Sequence, residues 1–391
     1  MAAALDADLV IAGAGPAGLS LAAALSGAPL RLLLFERAKL SEIAEPRFDG
    51  REIALTQASM RSLRELGAWH RIKPSDISPL TRARVLNGES EFALYFSNRR
   101  RGEALGALVP NAAIRRALFD VVSEQANCTI ITDQAVISLQ SGEKSIAALV
   151  SGGRCFAAHL AIAADTRFSP LRQSQGISAH MIDFGRSMLV CRMTHAIPHQ
   201  GIATEWFDRG QTVAMLPLQD GMSSFVLTLP ARQVEMLLEM SPEAFAAEAQ
   251  RRTLGKWGAM SLASTRHAYP LVAVYADRFV APRFAVVGDA AAGMHPVTAH
   301  GYNFGLASAM TLAGELCRSA REGGDIGRLP GLLRYQRMHR RATWPLFLAT
   351  NAIARLYSDE RLLSRIARSA GLRLMRAAIP LRRAVEARLS G

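Results

Sequence analysis

The sequence predicts an α/β protein, and three features support that prediction. They are a glycine-rich turn between two apolar runs near the N-terminus, a strand-rich middle, and a helical, arginine-rich C-terminal region. The 391 residues suffice for a large core and more than one domain. Hydrophobic residues make up 50% of the chain and charged residues 20%, which favours a globular over a disordered protein.

The glycine-rich turn comes first in the chain and follows its apolar run directly. Gly13, Gly15 and Gly18 form a GxGxxG pattern before a helix of small residues, and the second apolar run ends in Glu36-Arg37. Gly13 allows a tight turn, Gly15 lets backbone approach a pyrophosphate, and Gly18 lets the helix pack on the strand. The carboxylate of Glu36 would accept hydrogen bonds from ribose hydroxyls, with Arg37 beside the same cofactor. We therefore expect a Rossmann-like dinucleotide-binding domain here.

A second element of strand, glycine turn and acid lies about 275 residues later in the chain. Gly288-Asp289 follows an apolar run, and Asp289 would accept hydrogen bonds from the hydroxyls of a ribityl chain. A helix that begins near Gly301 would direct backbone N–H groups, including that of Asn303, toward negative charge. Two such turns are what a long cofactor such as FAD requires. The alternative for the second turn is an ordinary connection with a capping aspartate.

Three regions follow from these motifs and from the pattern between them. We predict an FAD-binding domain from residues 1–75, 100–180 and 275–330, an inserted mixed β-sheet substrate domain from residues 76–99 and 181–274, and a helical C-terminal tail at 331–391. Within the first, residues 108–122 are predicted to form a helix. Five residues of the middle region are candidates for lining an apolar pocket, although such residues more often form plain core: Trp206, Phe207, Met215, Leu218 and Phe225.

The charge is concentrated in the C-terminal tail, which holds 13 arginines against three acids in a chain of net charge +13. Residues 361–376 predict an amphipathic helix with an apolar face and an arginine face. Two interpretations stay open for it: contact with an anionic membrane surface, or packing on the body with the arginines in solvent. Nucleic-acid binding is disfavoured because aromatic residues are not interleaved with the arginines.

The four cysteines are scattered without CxxC spacing, which predicts free thiols in a reducing compartment and no metal site. No apolar stretch reaches the roughly 18 residues that would span a bilayer, and no signal peptide is recognisable. The sequence thus favours a cytoplasmic protein, peripheral to the inner membrane if the basic tail binds lipid.

Together these motifs resemble those of the FAD-dependent aromatic hydroxylases related to p-hydroxybenzoate hydroxylase. Within that family the resemblance is strongest to the ubiquinone-biosynthesis branch, and there to the UbiM type. Besides the GxGxxG turn, it is carried by residues 48–55 (FDGREIAL), by residues 288–291 (GDAA) followed by His295-Pro296, and by residues 215–218 (MLPL) before an Asp-Gly turn. Two segments depart from the family pattern: Asp165-Thr166 stands where Asp-Gly is usual, and residues 299–305 (AHGYNFG) stand where Gly-Gln-Gly-Leu-Asn-Leu-Gly is usual. The Ala-His-Gly form resembles the UbiM type, and the departures leave the ring position attacked open.

The resemblance implies an FAD-dependent monooxygenase that hydroxylates the aromatic ring of a polyprenylated ubiquinone precursor, of the demethoxyubiquinol or polyprenylphenol type. NAD(P)H or another electron donor would reduce the flavin, and O2 would then give a C4a-hydroperoxide that transfers the hydroxyl group. Pro296 would lie near the reactive edge of the flavin. His295 or His300 would assist phenol deprotonation, with turn capping or packing as the alternative. Arg51 would contact the flavin or, alternatively, form an ion pair.

Two other functions stay open at this point. One is a flavin oxidoreductase that acts on a lipid or quinone without inserting oxygen. The other is a non-catalytic, quinone-binding subunit of a ubiquinone-biosynthesis complex. The presence of every motif residue named for the cofactor disfavours this non-catalytic interpretation.

Overall fold

The computed structural model describes residues 5–358 apart from 89, 91, 99–101, 209 and 296–300, and it describes side chains up to residue 356. Pro296, His300 and the predicted amphipathic helix at 361–376 therefore lie outside the described residues. Within the described part, no helix has the length and apolar character needed to cross a membrane.

The elements alternate between strands and helices at both ends of the chain and are mostly strands in the middle. The described strands are β1 (Leu9–Ala12), β2 (Leu32–Phe35), β3 (Glu52–Thr56), β4 (Ser78–Leu80), β5 (Arg82–Asn87), β6 (Ala93–Ser97), β7 (Gly106–Pro110), β8 (Cys128–Ile131), β9 (Val136–Ser141), β10 (Ile146–Val150), β11 (Cys155–Ala158), β12 (Leu160–Ala163), β13 (Ala179–His195), β14 (Ile202–Asp208), β15 (Gln211–Pro217), β16 (Met222–Pro230), β17 (Met260–Leu262), β18 (His267–Ala276), β19 (Val280–Ala281) and β20 (Phe284–Val286). The described α-helices are α1 (Pro16–Ala24), α2 (Leu40–Ala44), α3 (Gln57–Glu65), α4 (Asn111–Ser123), α5 (Pro170–Ser174), α6 (Ala231–Glu239), α7 (Pro242–Arg252), α8 (Asp289–Ala292), α9 (Gly301–Arg321) and α10 (Leu329–Ser358).

The first large sheet has six strands in the order β19-β20-β12-β1-β2-β8, and all neighbours except β19 and β20 are parallel. Its central strands β1 and β12 are buried along their whole length. Such continuous apolar strands are typical of a parallel sheet that is covered on both faces. Phe156 of the small sheet β9–β11 packs on Phe35 of β2 with ring centroids 5.1 Å apart.

The second large sheet has eight strands and is mixed. Its order is β17-β13-β16-β15-β14-β5-β6, with β18 also paired to β13, and only β14 and β5 run parallel. Helices α6 and α7 cover one face through Val234, Leu237 and Phe245. The three-stranded sheet β3-β7-β4 completes the topology.

These observations confirm the predicted fold class of an α/β protein with a Rossmann-like domain, a mixed sheet and a helical C-terminal region. One boundary was wrong. Residues 108–110 belong to strand β7, which pairs with β3, so the predicted helix begins at Asn111. Pro110 is both the last residue of the strand and the cap of the helix: its backbone is still extended, and the next residue is helical. The domain limits stay a prediction.

Candidate active site

Three turns meet where three neighbouring parallel strands end. β1 leads into the glycine-rich turn, β12 into Asp165, and β20 into Gly288, and these strands lie side by side in the order β20-β12-β1. A Cβ on Gly13 would lie 2.6 Å from the carbonyl oxygen of Ala164, and one on Gly288 would lie 2.6 Å from the Cβ of Ala17. Both glycines have positive φ angles, of +109° and +62°. The two distant glycine turns therefore fold against each other and the third.

The first turn has the shape of a phosphate cradle. Gly18 packs α1 so closely on the turn that a Cβ would lie 1.9 Å from the carbonyl oxygen of Gly13. A Cβ on Gly15, by contrast, would meet nothing within 4 Å, although its neighbours are close-packed. The Glu36 carboxylate lies beside the turn and accepts hydrogen bonds from the N–H groups of Ala14 (2.7 Å) and Ala38 (3.1 Å). The space at Gly15 and the acid beside it fit a dinucleotide with its pyrophosphate at the N-terminus of α1.

Arg115 is a cofactor candidate that the sequence did not reveal. It lies on α4, and its Nε is buried without a hydrogen-bond partner among the described residues. Burial lowers the pKa of its guanidinium, as does the nearby Arg51, while Asp49 and Glu36 oppose that shift. A partly buried guanidinium whose Nε has no hydrogen-bond partner in the described part of the chain, close to Glu36, fits the negative charge of a bound pyrophosphate. Nothing in the local pattern of α4 distinguishes Arg115 from its neighbour Arg116.

Asp289, in the second turn, is held by Arg167, a partner that the sequence also did not reveal. Arg167, which follows Asp165 in the third turn, donates from Nη2 to Oδ2 of Asp289 (3.0 Å) and from Nη1 to the carbonyl oxygen of Val272 (2.9 Å). The Asp289 side chain remains 41% exposed, so it keeps room to accept further hydrogen bonds. This position suits a carboxylate that binds cofactor hydroxyls while its charge is balanced by an arginine.

Arg51 forms the ion pair that was one of its two predicted roles. Its guanidinium binds the carboxylate of Asp49, which also accepts a hydrogen bond from Asn111 (2.8 Å), and it stacks over the Tyr269 ring at 5.2 Å. Its pKa is raised by the hydrogen bond to Asp49, by the charge of that carboxylate and more weakly by Asp289, against an opposing burial effect. Contact of Arg51 with the flavin stays a prediction. Arg37 is exposed just after β2.

The start of α9 is fixed to β3 by one side chain. Asn303 donates from Nδ2 to the carbonyl oxygen of Ala54 (2.9 Å) and accepts at Oδ1 from the N–H of Thr56 (3.1 Å). A Cβ on Gly301 would meet nothing within 4 Å, and Gly305 lies against Gly288. Asn303 thus positions the helix with its side chain, and its predicted contribution to the cofactor would come from the backbone N–H.

His295 follows helix α8 and is buried, with only 8% of its surface exposed. Its ring contacts Phe184 edge-on at 4.7 Å. Burial lowers the pKa of His295 to about 4, and the charge of Arg186 acts in the same direction. The imidazole is therefore neutral near pH 7 and is a weak base, which fits a packing role better than proton transfer. Its predicted catalytic role is not tested by these contacts.

The candidate pocket residues divide between the two faces of the mixed sheet. Trp206, Met215 and Phe225 are fully buried and pack against α6 and α7, so for them the core alternative holds. Phe207 lies on the opposite face, since its strand neighbour Trp206 points to the helices. On that opposite face the segment from Phe48 to Glu52 covers the end of the sheet at β13: Arg192 of β13 binds Glu52 (2.8 Å) and lies over the Phe48 ring.

These features define a dinucleotide-binding α/β enzyme whose cofactor cradle lies at the ends of the parallel strands. A sequence profile described as "FAD binding domain" matches residues 6–346, and the chain belongs to this family. It is an FAD-dependent monooxygenase by its family and its relatives. The described residues fit the cofactor through the space at Gly15, the unpartnered Arg115 and the accessible carboxylate of Asp289.

The relatives narrow the class further. The chain is 40% identical to the ubiquinone hydroxylase UbiM of Neisseria meningitidis over 99% of its own length and 85% of that protein. It is 30% identical to the ubiquinone hydroxylase UbiL of Rhodospirillum rubrum over 96% of its length and 88% of that protein. Among solved structures, p-nitrophenol 4-monooxygenase PnpA of Pseudomonas putida matches with a TM-score of 0.78 at 16% identity, covering 98% of both chains. That structural similarity supports the fold.

Proposed function

We propose that the protein hydroxylates the aromatic ring of a polyprenylated ubiquinone precursor, of the demethoxyubiquinol or polyprenylphenol type. The observation that carries the proposal is the convergence of the three turns at the ends of the parallel strands, in a chain similar over nearly its whole length to ubiquinone hydroxylases. The similarity to hydroxylases favours oxygen insertion over a flavin oxidoreductase without it and over a non-catalytic subunit.

In this proposal the chain's own residues hold and shield the cofactor. Gly15 and the N-terminus of α1 would receive the pyrophosphate, with Arg115 as its counter-ion. Glu36 and Asp289 would bind the hydroxyls of the ribose and the ribityl chain, and Arg167 would keep Asp289 in place. Bound FAD, once reduced by NAD(P)H or another donor, would supply the reaction with O2. The backbone N–H groups at the start of α9 would balance negative charge on the reduced cofactor.

The substrate's isoprenoid chain would bring the protein to a membrane surface or into a ubiquinone-biosynthesis complex. What supports membrane contact is charge: α10 contains five arginines and no acid, and Leu333, Met338 and Leu348 are exposed on it. The residues after α10 add eight more arginines. Cytoplasmic location at the inner membrane is part of the same proposal.

Labelled oxygen tests the proposed reaction directly. The purified flavoprotein is given a short-chain polyprenylphenol or demethoxyubiquinol, NADH or NADPH, and heavy-isotope O2, and the product is examined by mass spectrometry. We expect one heavy oxygen atom in the ring of the product. A turned-over quinol without heavy oxygen would support the oxidoreductase alternative, and a correctly folded protein that binds no flavin would contradict the proposal altogether.

A further inference from the structure

The mixed sheet presents two faces of different character. Toward α6 and α7, the residues of the four central strands are closely packed: Leu189, Trp206, Val213, Met215, Phe225 and Leu227 are all at most 1% exposed. On the opposite face the strand register places Glu205, Ala214, Val226 and Val190 in one row across β14, β15, β16 and β13. Glu205 and Val226 in this row keep part of their surface accessible.

The next row along the same face shows the same pattern. Register aligns Phe207, Thr212, Thr228 and Met188, and three of these four side chains are only half-buried. Gly50 closes the β13 end of the face, since a Cβ there would lie 2.6 Å from Val190. Two contacts tie this face to the cofactor side of the molecule: Gly50 packs on Val190, and Arg186 lies close enough to His295 to lower its pKa. Because accessible apolar residues suit a ligand-binding surface, we take this face as the floor of the substrate pocket.

Glu205 is the one carboxyl group in these two rows. Its neighbours across the strands are Ala214 and Val85, and none of the described residues forms a hydrogen bond or ion pair with it. Protein surrounds it, and burial alone raises the pKa of Glu205 to about 8. Burying a carboxyl group without a hydrogen-bond partner destabilises the fold. A bound ligand that supplies the missing hydrogen bond would account for its presence there.

Other charged and titratable groups of this face lie at its edges. Arg192 is paired with Glu52 at one end of the strands. At the other end Arg186 lies near His295 and donates to the carbonyl oxygens of Gly210 and Thr228. His267 and Tyr269 lie on β18, which pairs with β13, and β13 is itself three strands away from β14. The His267 ring shares a hydrogen bond with the hydroxyl of Thr265 (2.8 Å). On β5 and β6 the neighbours are apolar, namely Val85, Leu94 and Phe96. Among the described residues of β13, β14, β15 and β16, Glu205 is therefore the one ionisable side chain in these two rows.

We propose that Glu205 binds the ring hydroxyl of the phenolic substrate and accepts its proton during hydroxylation. This inference rests on the proposed function. The O–H bond of the ring hydroxyl breaks, the proton moves to a carboxylate oxygen of Glu205, and the electron pair stays on the ring oxygen. The resulting phenolate is more electron-rich at its ortho and para carbons, which favours attack on an electrophilic oxygen. No oxidant takes part in this proton transfer.

Glu205 suits this role better than His295, the histidine of the described residues that the sequence suggested. A base is most effective when its pKa lies near the working pH, and the pKa of Glu205 is about 8 while that of His295 is about 4. Below pH 8 most Glu205 carboxyl groups are protonated and donate a hydrogen bond to the ring oxygen. As the pH rises through about 8, the ionised form that accepts the proton becomes dominant.

The test compares flavin-loaded wild type, Glu205→Gln and the control Glu235→Gln, which changes an exposed glutamate of α6. The probe is an ortho-alkylated para-nitrophenol, whose phenolate absorbs visible light while the phenol does not. We expect the phenolate band with wild type and control at a pH where the Glu205→Gln complex shows the phenol. For ring hydroxylation, kcat/KM should rise through pH 8 in wild type, and Glu205→Gln should lose that rise and at least about 100-fold in rate.

The outcomes separate this inference from the function on which it rests. If Glu205→Gln keeps its flavin and matches wild type in the probe spectrum and the pH profile, the role of Glu205 is wrong while the hydroxylase function stands. A wild type that does not bind the probe also contradicts the inference. If labelled oxygen does not enter the substrate but the probe still ionises only when Glu205 is present, the proton-accepting site stands and the proposed reaction fails.

Discussion

The parallel sheet and the mixed sheet bring residues to the active site in different ways. In the parallel sheet the site lies at the strand ends, where β1, β12 and β20 each lead into a turn with a glycine or an acid. In the mixed sheet the site lies on a face, and alternate residues of β14, such as Glu205 and Trp206, belong to the pocket and to the core. The residues of a strand-end site are consecutive in the sequence. Which residues of a sheet face belong to a site depends instead on the elements that cover that face.

The largest effects are expected at the strand ends, where two glycines of one turn should behave differently. Gly18→Ala puts a Cβ 1.9 Å from a backbone oxygen, so α1 cannot keep its place on β1, and we expect loss of soluble, folded protein. Gly15→Ala meets nothing within 4 Å, so we expect a normal fold by circular dichroism. Its flavin affinity should fall about tenfold or more, because the methyl group occupies the phosphate's approach. Wild-type flavin content in Gly15→Ala would contradict the cradle.

A smaller contrast is expected between the two faces of the mixed sheet. Trp206→Ala removes a fully buried ring from the face that packs on α6 and α7, and should lower the free energy of unfolding by about 3–5 kcal/mol. Val226→Ala changes an accessible side chain on the pocket face, and should cost about 1 kcal/mol or less while altering substrate KM. Chemical denaturation measures both. Equal costs would mean that the face we assign to the pocket is also packed core.

The smallest effect is a pH dependence of stability that comes from the pocket carboxyl. The folded state holds the proton of Glu205 up to about pH 8, while the unfolded carboxyl releases it near its ordinary value of 4.5. Stability therefore falls as the pH rises between these values, by on the order of 1–3 kcal/mol for a partly accessible group. Glu205→Gln should remove this decline and Glu235→Gln should keep it. His295 and His339 act in the opposite direction below pH 6.5, equally in all three proteins.

Much of the cofactor site could be predicted because its chemistry is local in the chain. The turn at Gly13 needs a positive φ angle and the packing of α1 needs a missing side chain at Gly18, and both demands fix the residue type within six positions. Glu36 and Asp289 follow strands whose apolar runs are visible in the sequence. The roles of Arg115 and Arg167 could not be predicted, since each partner lies on a distant segment and many arginines share the same local pattern.

The substrate side was less predictable for a related reason. Apolar residues that alternate along a strand show that it has two faces, but they do not show which face is covered by helices. Trp206 and Phe225 were therefore candidates for the pocket, with core the more common role for such residues, and the packing of α6 and α7 on them decides for core. Glu205 stands among strand residues without any motif, and its environment arises from β5, β15 and β16 together.

The sequence by itself determined the α/β class, the two glycine turns and the acids that follow them, because backbone conformation and strand periodicity depend on neighbouring residues. Only the tertiary structure decided that Gly288 packs on Ala17, that Arg167 balances Asp289 and that Glu205 is unpartnered in a pocket. Burial, ion pairing and a shifted pKa are properties of groups brought together from distant parts of the chain. These properties arise only when the chain packs helices and loops onto the sheets, and no local stretch of residues specifies them.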